Sequence, residues 1–322
     1  MLRVFEGFAG YGGASFALER LKSNHPEFSY QVVGYSEVDR HATELYDLNH
    51  RGVKNYGDIT RIDPKALPDF DLFTGGFPCQ PFSTAGKGLG EQDTRGTLIY
   101  PALRIIGEKK PRYVLLENVR GFLSPKFKET REKIFSTLES VGYSVSYQVL
   151  NSRDYGIPQN RPRVWIFARL GGLPEGFSMK PPERYTPPLK DFLDPMVSQD
   201  LYRPKKLIET WKSGWGTDFR VEEPQCYDVK DRVVLHNNTF CALRMSAHNP
   251  YLVEPGERVR KLSVRELFRL MGVGDIALPD MPYTHLADRA GNGWDVNLVS
   301  ILLEFVFSQL KDDEDLIGGI ER

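Results

Sequence analysis

Residues 1–170 alternate short apolar runs with segments whose apolar positions recur at helical spacing. The runs at 2–6, 31–36, 70–74, 113–117, 144–150 and 163–168 predict strands, with a short one near 53–56. Amphipathic patterns at 13–22, 40–49, 97–109 and 127–140 predict helices. Such alternation specifies an α/β fold with a mostly parallel sheet covered on both faces. Nothing helical separates 144–150 from 163–168, so one of these strands is expected to run antiparallel. From 172 the texture changes: Pro174, Pro181, Pro182, Pro187, Pro188, Pro195 and Pro204 fall in a stretch without sustained periodicity. That reads as a linker and a small, irregular second domain to 257. Helical signal returns at 263–272, where Ser263 and Glu266 form a capping-box pattern, and an apolar helix is expected over 295–310. The expected organisation is 1–171, 172–257, and 258–322 as a return segment completing the first domain.

Composition narrows the class only a little. Hydrophobic content of 40% and charged content of 26% are those of an ordinary globular enzyme. Net charge is −1, and the stretch 172–262 holds 14 Lys/Arg against 13 Asp/Glu, so no basic footprint advertises nucleic acid. The three cysteines, Cys79, Cys226 and Cys241, are far apart in sequence and lack metal-ligand spacing. They suggest a reducing compartment with no disulfide framework and no metal site. Glu6 interrupts the first apolar run too early for a signal peptide, and no run has the length of a membrane span. A cytoplasmic enzyme is expected.

Candidate chemistry gathers at the predicted strand ends, where open α/β sheets bind ligands. Phe8-Ala9-Gly10-Tyr11-Gly12-Gly13 follows the first strand and opens a helix. It fails as a dinucleotide fingerprint, because the third glycine would fall on Ser15. Glu37 ends the second strand, where a carboxylate can accept from a ribose diol, and Asp58 follows the short third run. After Phe70–Thr74 comes Gly75-Gly76-Phe77-Pro78-Cys79-Gln80-Pro81-Phe82-Ser83, a thiol between two prolines that stiffen its loop. Glu117-Asn118-Val119 ends the next strand, and Gln159-Asn160-Arg161-Pro162-Arg163 precedes the last.

Phe-Pro-Cys-Gln-Pro-Phe-Ser, together with these companions, resembles the motifs of the DNA cytosine methyltransferases that modify ring carbon 5, of the bacterial and phage restriction-modification kind. Six motifs match in order and spacing, covering nearly all of 1–170 and 258–305. The resemblance implies a Rossmann-like class I S-adenosylmethionine-dependent methyltransferase sheet, mostly parallel with one antiparallel strand, and a small irregular target-recognition domain at 172–257.

It also implies roles. Cys79 is the nucleophile toward ring carbon 6, Glu117 faces ring nitrogen 3, Arg163 donates to the ring carbonyl, and Arg161 holds active-site side chains or a phosphate. S-adenosylmethionine is held by Phe8, Gly10, Gly12, Gly13, Glu37, Asp58, Pro78, Leu98 and Asn292, the last from a Gly291-Asn292 motif. The partner is double-stranded DNA from which the cytosine is flipped out, a cognate restriction endonuclease can accompany the enzyme, and the enzyme is expected to be a monomer, nucleoid-associated if bacterial. Gln80, Ser83, Lys87, Arg232, Thr239 and Arg244 are the expected DNA contacts, with His248 beside them. Lys87 lies in Ala85–Gly90, a glycine-rich loop expected to close over the flipped base. Arg260–Glu266 is expected to organise the recognition domain, and a recognition sequence of two to five base pairs is expected.

Departures from the family pattern are Glu6-Gly7 in place of Asp-Leu, Ala85, Pro101 in place of an acidic residue, and Trp294 after Gly291-Asn292. An RNA cytosine methyltransferase shares these motifs. A catalytically dead relative should have lost Cys79, Glu117 or Arg163, and a nicotinamide oxidoreductase should carry the missing glycine fingerprint.

Overall fold

Leu2, Val4 and Phe5 are fully buried, and the strand that they build, β1 (Leu2–Gly7), lies inside the main sheet. The computed structural model describes residues 1–78, 98–245, 249–318 and 320. After β1 come α1 (Gly13–Asn24), β2 (Tyr30–Ser36), α2 (Arg40–Asn49), β3 (Leu72–Gly76), α3 (Ile99–Lys109), β4 (Tyr113–Val119), α4 (Lys128–Ser140) and β5 (Tyr143–Asn151). Then follow β6 (Gln159–Asn160), β7 (Pro162–Leu170), α5 (Lys205–Trp215), β8 (Gln225–Asp228), β9 (Val233–Leu235), β10 (Phe240–Cys241), β11 (Tyr251–Glu254) and β12 (Arg258–Arg260). Helices α6 (Val264–Arg269), α7 (Tyr283–Asn292) and α8 (Val296–Phe307) follow. No described helix is long and apolar enough to cross a membrane.

The described chain forms two compact units. The first comprises 1–150, 162–182 and 299–322; the second comprises 151–161 and 183–298. Residues 258–298 of the expected return segment thus fall in the second unit.

The first unit holds a six-stranded sheet in the order β2-β1-β3-β4-β7-β5. β2, β1, β3 and β4 pair in parallel, and β7 pairs antiparallel to β4, as the absent intervening helix predicts. The four parallel strands therefore end on one edge, and β7 begins there, with Arg163 opposite Val119. Phe5, Phe73, Val114, Leu116, Val164 and Ile166 form a core beneath that edge. Asp39 caps α2 by accepting from the backbone N–H groups of His41 and Ala42. Pro101 sits in the first turn of α3, where its missing N–H leaves no helical bond unmade. The run near 53–56 yields only an isolated bridge, Tyr35 to Asn55. It is too short to propagate a ladder.

The second unit adds order that the sequence pattern does not announce. β12, β11, β8 and β9 form an antiparallel sheet, packed with Trp211 of α5, Phe219 and Tyr227. β6 and β10 pair in parallel. Arg260 is fully buried and joins Glu254 of β11 (2.7 Å) to both carboxylate oxygens of Glu266 in α6 (2.7 and 2.8 Å). The expected capping box forms, Ser263 accepting from the Glu266 N–H and Glu266 from the Ser263 N–H. α6 is shorter than expected because Gly272 turns left-handed (φ 76°) against Asn297. Cys226 and Cys241, distant in sequence, meet as free thiols with their Sγ atoms 3.2 Å apart.

Candidate functional site

The carboxyl edge of the parallel strands carries two side-chain constellations. The first surrounds the loop after β1. Glu37 is held there before any ligand arrives: its Oε2 accepts from the Gly10 N–H at 2.9 Å, and its Oε1 accepts from the N–H groups of Val38 and Asp39, each at 2.8 Å. Oε2 keeps a free lone pair in that arrangement. Gly10 takes φ 58°, and a Cβ placed on it would meet nothing within 4 Å, so this backbone presents an open face. Gly12 takes φ 86°, and a Cβ there would lie 2.4 Å from His50 Nε2. Glycine is thus required at Gly12 on two counts. Burial pushes the His50 imidazole down to about 4, leaving it neutral under the loop. Gly13 starts α1, and Phe8 is half-buried against the core of the first unit.

Glu6 lies directly behind this loop. It is 1% exposed, accepts from the hydroxyls of Ser15 and Tyr46 (the latter at 3.1 Å), and burial raises its carboxyl from 4.5 to about 7. The departures Glu6-Gly7 thereby gain a physical account. The glutamate reaches Ser15 of α1 and Tyr46 of α2, while a Cβ on Gly7 would lie 2.6 Å from the Phe73 ring. Ser15, where a dinucleotide fingerprint has glycine, is the partner of that carboxyl.

Sequence reasoning missed Asn55. Its Oδ1 accepts from the N–H groups of Glu37 (3.2 Å) and Gly57 (2.8 Å), and its Nδ2 donates to the Glu37 carbonyl (3.0 Å). Asparagine beside a glycine turn was the available signal. Asp58 accepts from the backbone and hydroxyl of Thr60, and these bonds hold its carboxyl below the usual range. An open glycine backbone beside a pre-held carboxylate with spare acceptor capacity fits the amino-acid and ribose groups of S-adenosylmethionine.

The second constellation stands at the ends of β4 and β7. Glu117 pairs with Trp165 and Val119 with Arg163, so Glu117 and Arg163 share a face two residues apart along the ladder. Arg163 Nε lies 2.9 Å from Glu117 Oε1, with side-chain exposures of 16% and 13%. Burial pulls the guanidinium pKa down and the Glu117 carboxylate opposes that pull. Buried Asn118 donates to the Phe77 carbonyl at 3.1 Å, fixing the chain just after β3. Pro78 is exposed at the end of that stretch, and Leu98 resumes it as the N-cap of α3. Cys79, Gln80, Ser83 and Lys87 lie outside the described residues, as do Ala85–Gly90 and His248.

The remaining predicted residues belong to the second unit. Arg161 is 3% exposed, and its guanidinium donates to the carbonyls of Leu243 (3.0 Å), Gly291 (3.0 Å) and Gly293 (2.7 Å). Gln159, fully buried, accepts from the Leu243 N–H and donates to the Leu270 carbonyl. Asn292 is exposed at the end of α7. Gly291 faces Arg244: a Cβ there would lie 2.1 Å from the Arg244 carbonyl oxygen. Arg232 is exposed, adopts φ 56° and lies over the Trp215 ring at 4.7 Å. Thr239 donates to Asn237 Oδ1 at 2.8 Å. Among the described residues no His, Cys, Asp and Glu group could hold a metal ion.

Comparison with known proteins gives the family and the fold. The family model for C-5 cytosine-specific DNA methylase matches residues 2–307. Type II methyltransferase M.NgoBI of Neisseria gonorrhoeae is 34% identical over 302 residues, spanning 93% of this chain and 91% of its own. Type II methyltransferase M.HhaI of Haemophilus parahaemolyticus is 32% identical over 328 residues, spanning 96% and 95%. Among solved structures, Schizosaccharomyces pombe (S. pombe) Dnmt2 methyltransferase superposes with a TM-score of 0.71 at 20% identity, covering 96% of this chain and 99% of that one. The Entamoeba histolytica methyltransferase EhMeth gives 0.73, also at 20% identity and the same coverage. These two likenesses speak to the fold.

Proposed function

The chain belongs to the C-5 cytosine-specific DNA methylases, and on that premise we propose how its residues divide the work. It is a DNA (cytosine-5-)-methyltransferase with S-adenosylmethionine as methyl donor. The bound cofactor supplies an electrophilic methyl group on a sulfonium sulfur. Glu37 takes the ribose hydroxyls and Asp58 the adenine amino group. Phe8 packs on the adenine, and Gly10, Gly12 and Gly13 admit the donor to the backbone. Pro78, Leu98 and Asn292 complete its surroundings.

Carbon 5 of cytosine is a poor nucleophile. The Cys79 thiolate adds to ring carbon 6, breaking the aromaticity and leaving enamine character at carbon 5. Glu117 holds the ring nitrogen 3 edge and, in its acid form, passes a proton there as the thiolate adds and recovers it when the thiolate leaves, a contribution typically worth ~10²–10⁴ in rate. Arg163 donates to the ring carbonyl and, through its pair with Glu117, fixes the carboxyl. After methylation, loss of the carbon 5 proton expels the thiol. Near neutrality only a few per cent of an ordinary thiol is ionised, so the site must favour the thiolate. The observation that carries the assignment is the Glu117–Arg163 pair at 2.9 Å, nearly buried on one face of adjoining strand ends.

The first unit, with its strand-end constellations, is the catalytic and cofactor-binding part, and 172–257 supplies target recognition. Arg161 acts as a positioning residue through the carbonyls that it holds. Gln80, Ser83, Lys87, Arg232, Thr239 and Arg244 contact a double-stranded DNA from which the cytosine is extruded. The recognition sequence is short, two to five base pairs. We propose that the enzyme works as a cytoplasmic monomer, nucleoid-associated if its host is bacterial; a cognate endonuclease can accompany it, as the type II names of its relatives suggest.

The test is methyl transfer from labelled S-adenosylmethionine to unmethylated duplex DNA, wild type beside Cys79→Ser, with tRNA as an alternative acceptor. Label appearing as 5-methylcytosine with wild type alone is the expected result. Label in tRNA but not DNA, or undiminished transfer by Cys79→Ser, would overturn this reading. A methylation map showing a long interrupted site would overturn the short recognition sequence.

A further inference from the structure

Leu243 and Arg244 of the second unit are braced through both backbone and side chain. At Leu243 the N–H is taken by Gln159 and the carbonyl by Arg161. The next residue, Arg244, donates its N–H to Asn249 Oδ1 at 2.7 Å, and its carbonyl lies against Gly291 with no room for a Cβ. Beyond the backbone, Arg244 Nη2 donates to Asp228 Oδ2 at 3.1 Å. Asp228 is itself fixed, its side chain 7% exposed and its other oxygen accepting from the Lys230 N–H at 2.9 Å. What these braces hold out is a guanidinium whose side chain is 36% exposed. Among the described residues its Nε and Nη1 have no partner.

Resting on the reading of this chain as a DNA methyltransferase, we propose that Arg244, buttressed by Asp228, reads a guanine in the major groove of the target site. An arginine fork matches the O6 and N7 acceptors of guanine. The buttress decides between base and backbone. A phosphate contact draws on net positive charge, and the Asp228 carboxylate cancels that of Arg244. A neutral base edge instead rewards donors held in a fixed direction, which the backbone and carboxylate braces provide. The nearly equal counts of basic and acidic residues over 172–262 agree with recognition by direction rather than by charge.

The experiment begins with the wild-type methylation map, which gives the site. Each guanine of that site is then replaced singly by 7-deazaguanine, which lacks N7, and methylation rates are compared for wild type, Arg244→Lys and Asp228→Asn. Wild type should lose about ten- to a hundredfold at one guanine and little at the others. Arg244→Lys should be nearly indifferent to that same replacement and should methylate sites altered at that position. Asp228→Asn should fall between, because it loosens the fork without removing it. Wild-type indifference to every 7-deazaguanine overturns the proposal without involving any variant. So does an Arg244→Lys enzyme that weakens uniformly across sequences with a shallower salt dependence, the mark of a phosphate contact. Absence of DNA methylation by wild type would instead defeat the functional reading itself.

Discussion

Replacing Glu6 by Gln should change how the stability of the enzyme depends on pH. The carboxyl is buried between β1, α1 and α2, and its pKa is raised from 4.5 to about 7. The folded state therefore holds its proton more tightly than the unfolded chain does. Below pH 4.5 both states carry the proton and the group has no pH-dependent effect. As pH rises from 4.5 toward 7 the unfolded chain ionises first, and stability falls. The loss levels off above pH 7 at about 3 kcal/mol, from 1.36 kcal/mol for each unit of pKa difference. Glutamine keeps an oxygen that can accept from Ser15 and Tyr46 but cannot ionise. In urea unfolding followed by circular dichroism at pH 5, 6, 7 and 8, Glu6→Gln should gain on wild type by about 2–3 kcal/mol across the series. Other titrating groups cancel in the difference. Parallel curves for the two proteins would refute the reasoning, because they would mean that Glu6 ionises in the folded state as easily as in water.

Two further predictions concern the braces of the second unit. Arg161→Ala leaves the carbonyls of Leu243, Gly291 and Gly293 without their charged donor and should cost on the order of 3 kcal/mol in urea unfolding. Arg161→Lys should restore less than half of it, since a single ammonium cannot reproduce the fork. Gly291→Ala drives a methyl group into the Arg244 carbonyl and should cost ~1–3 kcal/mol. It should also blunt discrimination between cognate and altered sites in methylation assays, whereas a purely local packing defect would lower stability alone.

Strand ends were legible in the sequence because an apolar run locates them, and the motifs' resemblance to the family singled out Glu37 and Glu117 there from carboxylates that would otherwise pass for solvated groups or turn caps. Arg163 becomes readable once β7 is known to run against β4. The opposite held for polar residues whose partners are backbone atoms far along the chain. The motif that contains Gln159 and Arg161 marks them beside a strand, yet both are buried, and no local pattern points to backbone partners more than eighty residues away. The strands at 225–260 are three or four residues long or shorter, too brief for alternation to register. Cys226 and Cys241 meet only because the folded second unit brings β8 and β10 together. Gly291 was placed by its motif, but the Arg244 backbone fills the space a side chain there would need, a relation that only three dimensions disclose.

The discontinuity of the second unit sets the terms on which specificity can be exchanged between relatives. Grafting a foreign 172–257 into this chain would import a new reading loop while keeping Gln159, Arg161 and Gly291 shaped for the old one. A donor whose loop ran a residue longer would meet the same fixed anchors and be held out of register. The portable cassette is therefore the composite of 151–161 with 183–298. New target sequences should arise more readily by substitution at the braced Arg244 than by wholesale replacement of 172–257.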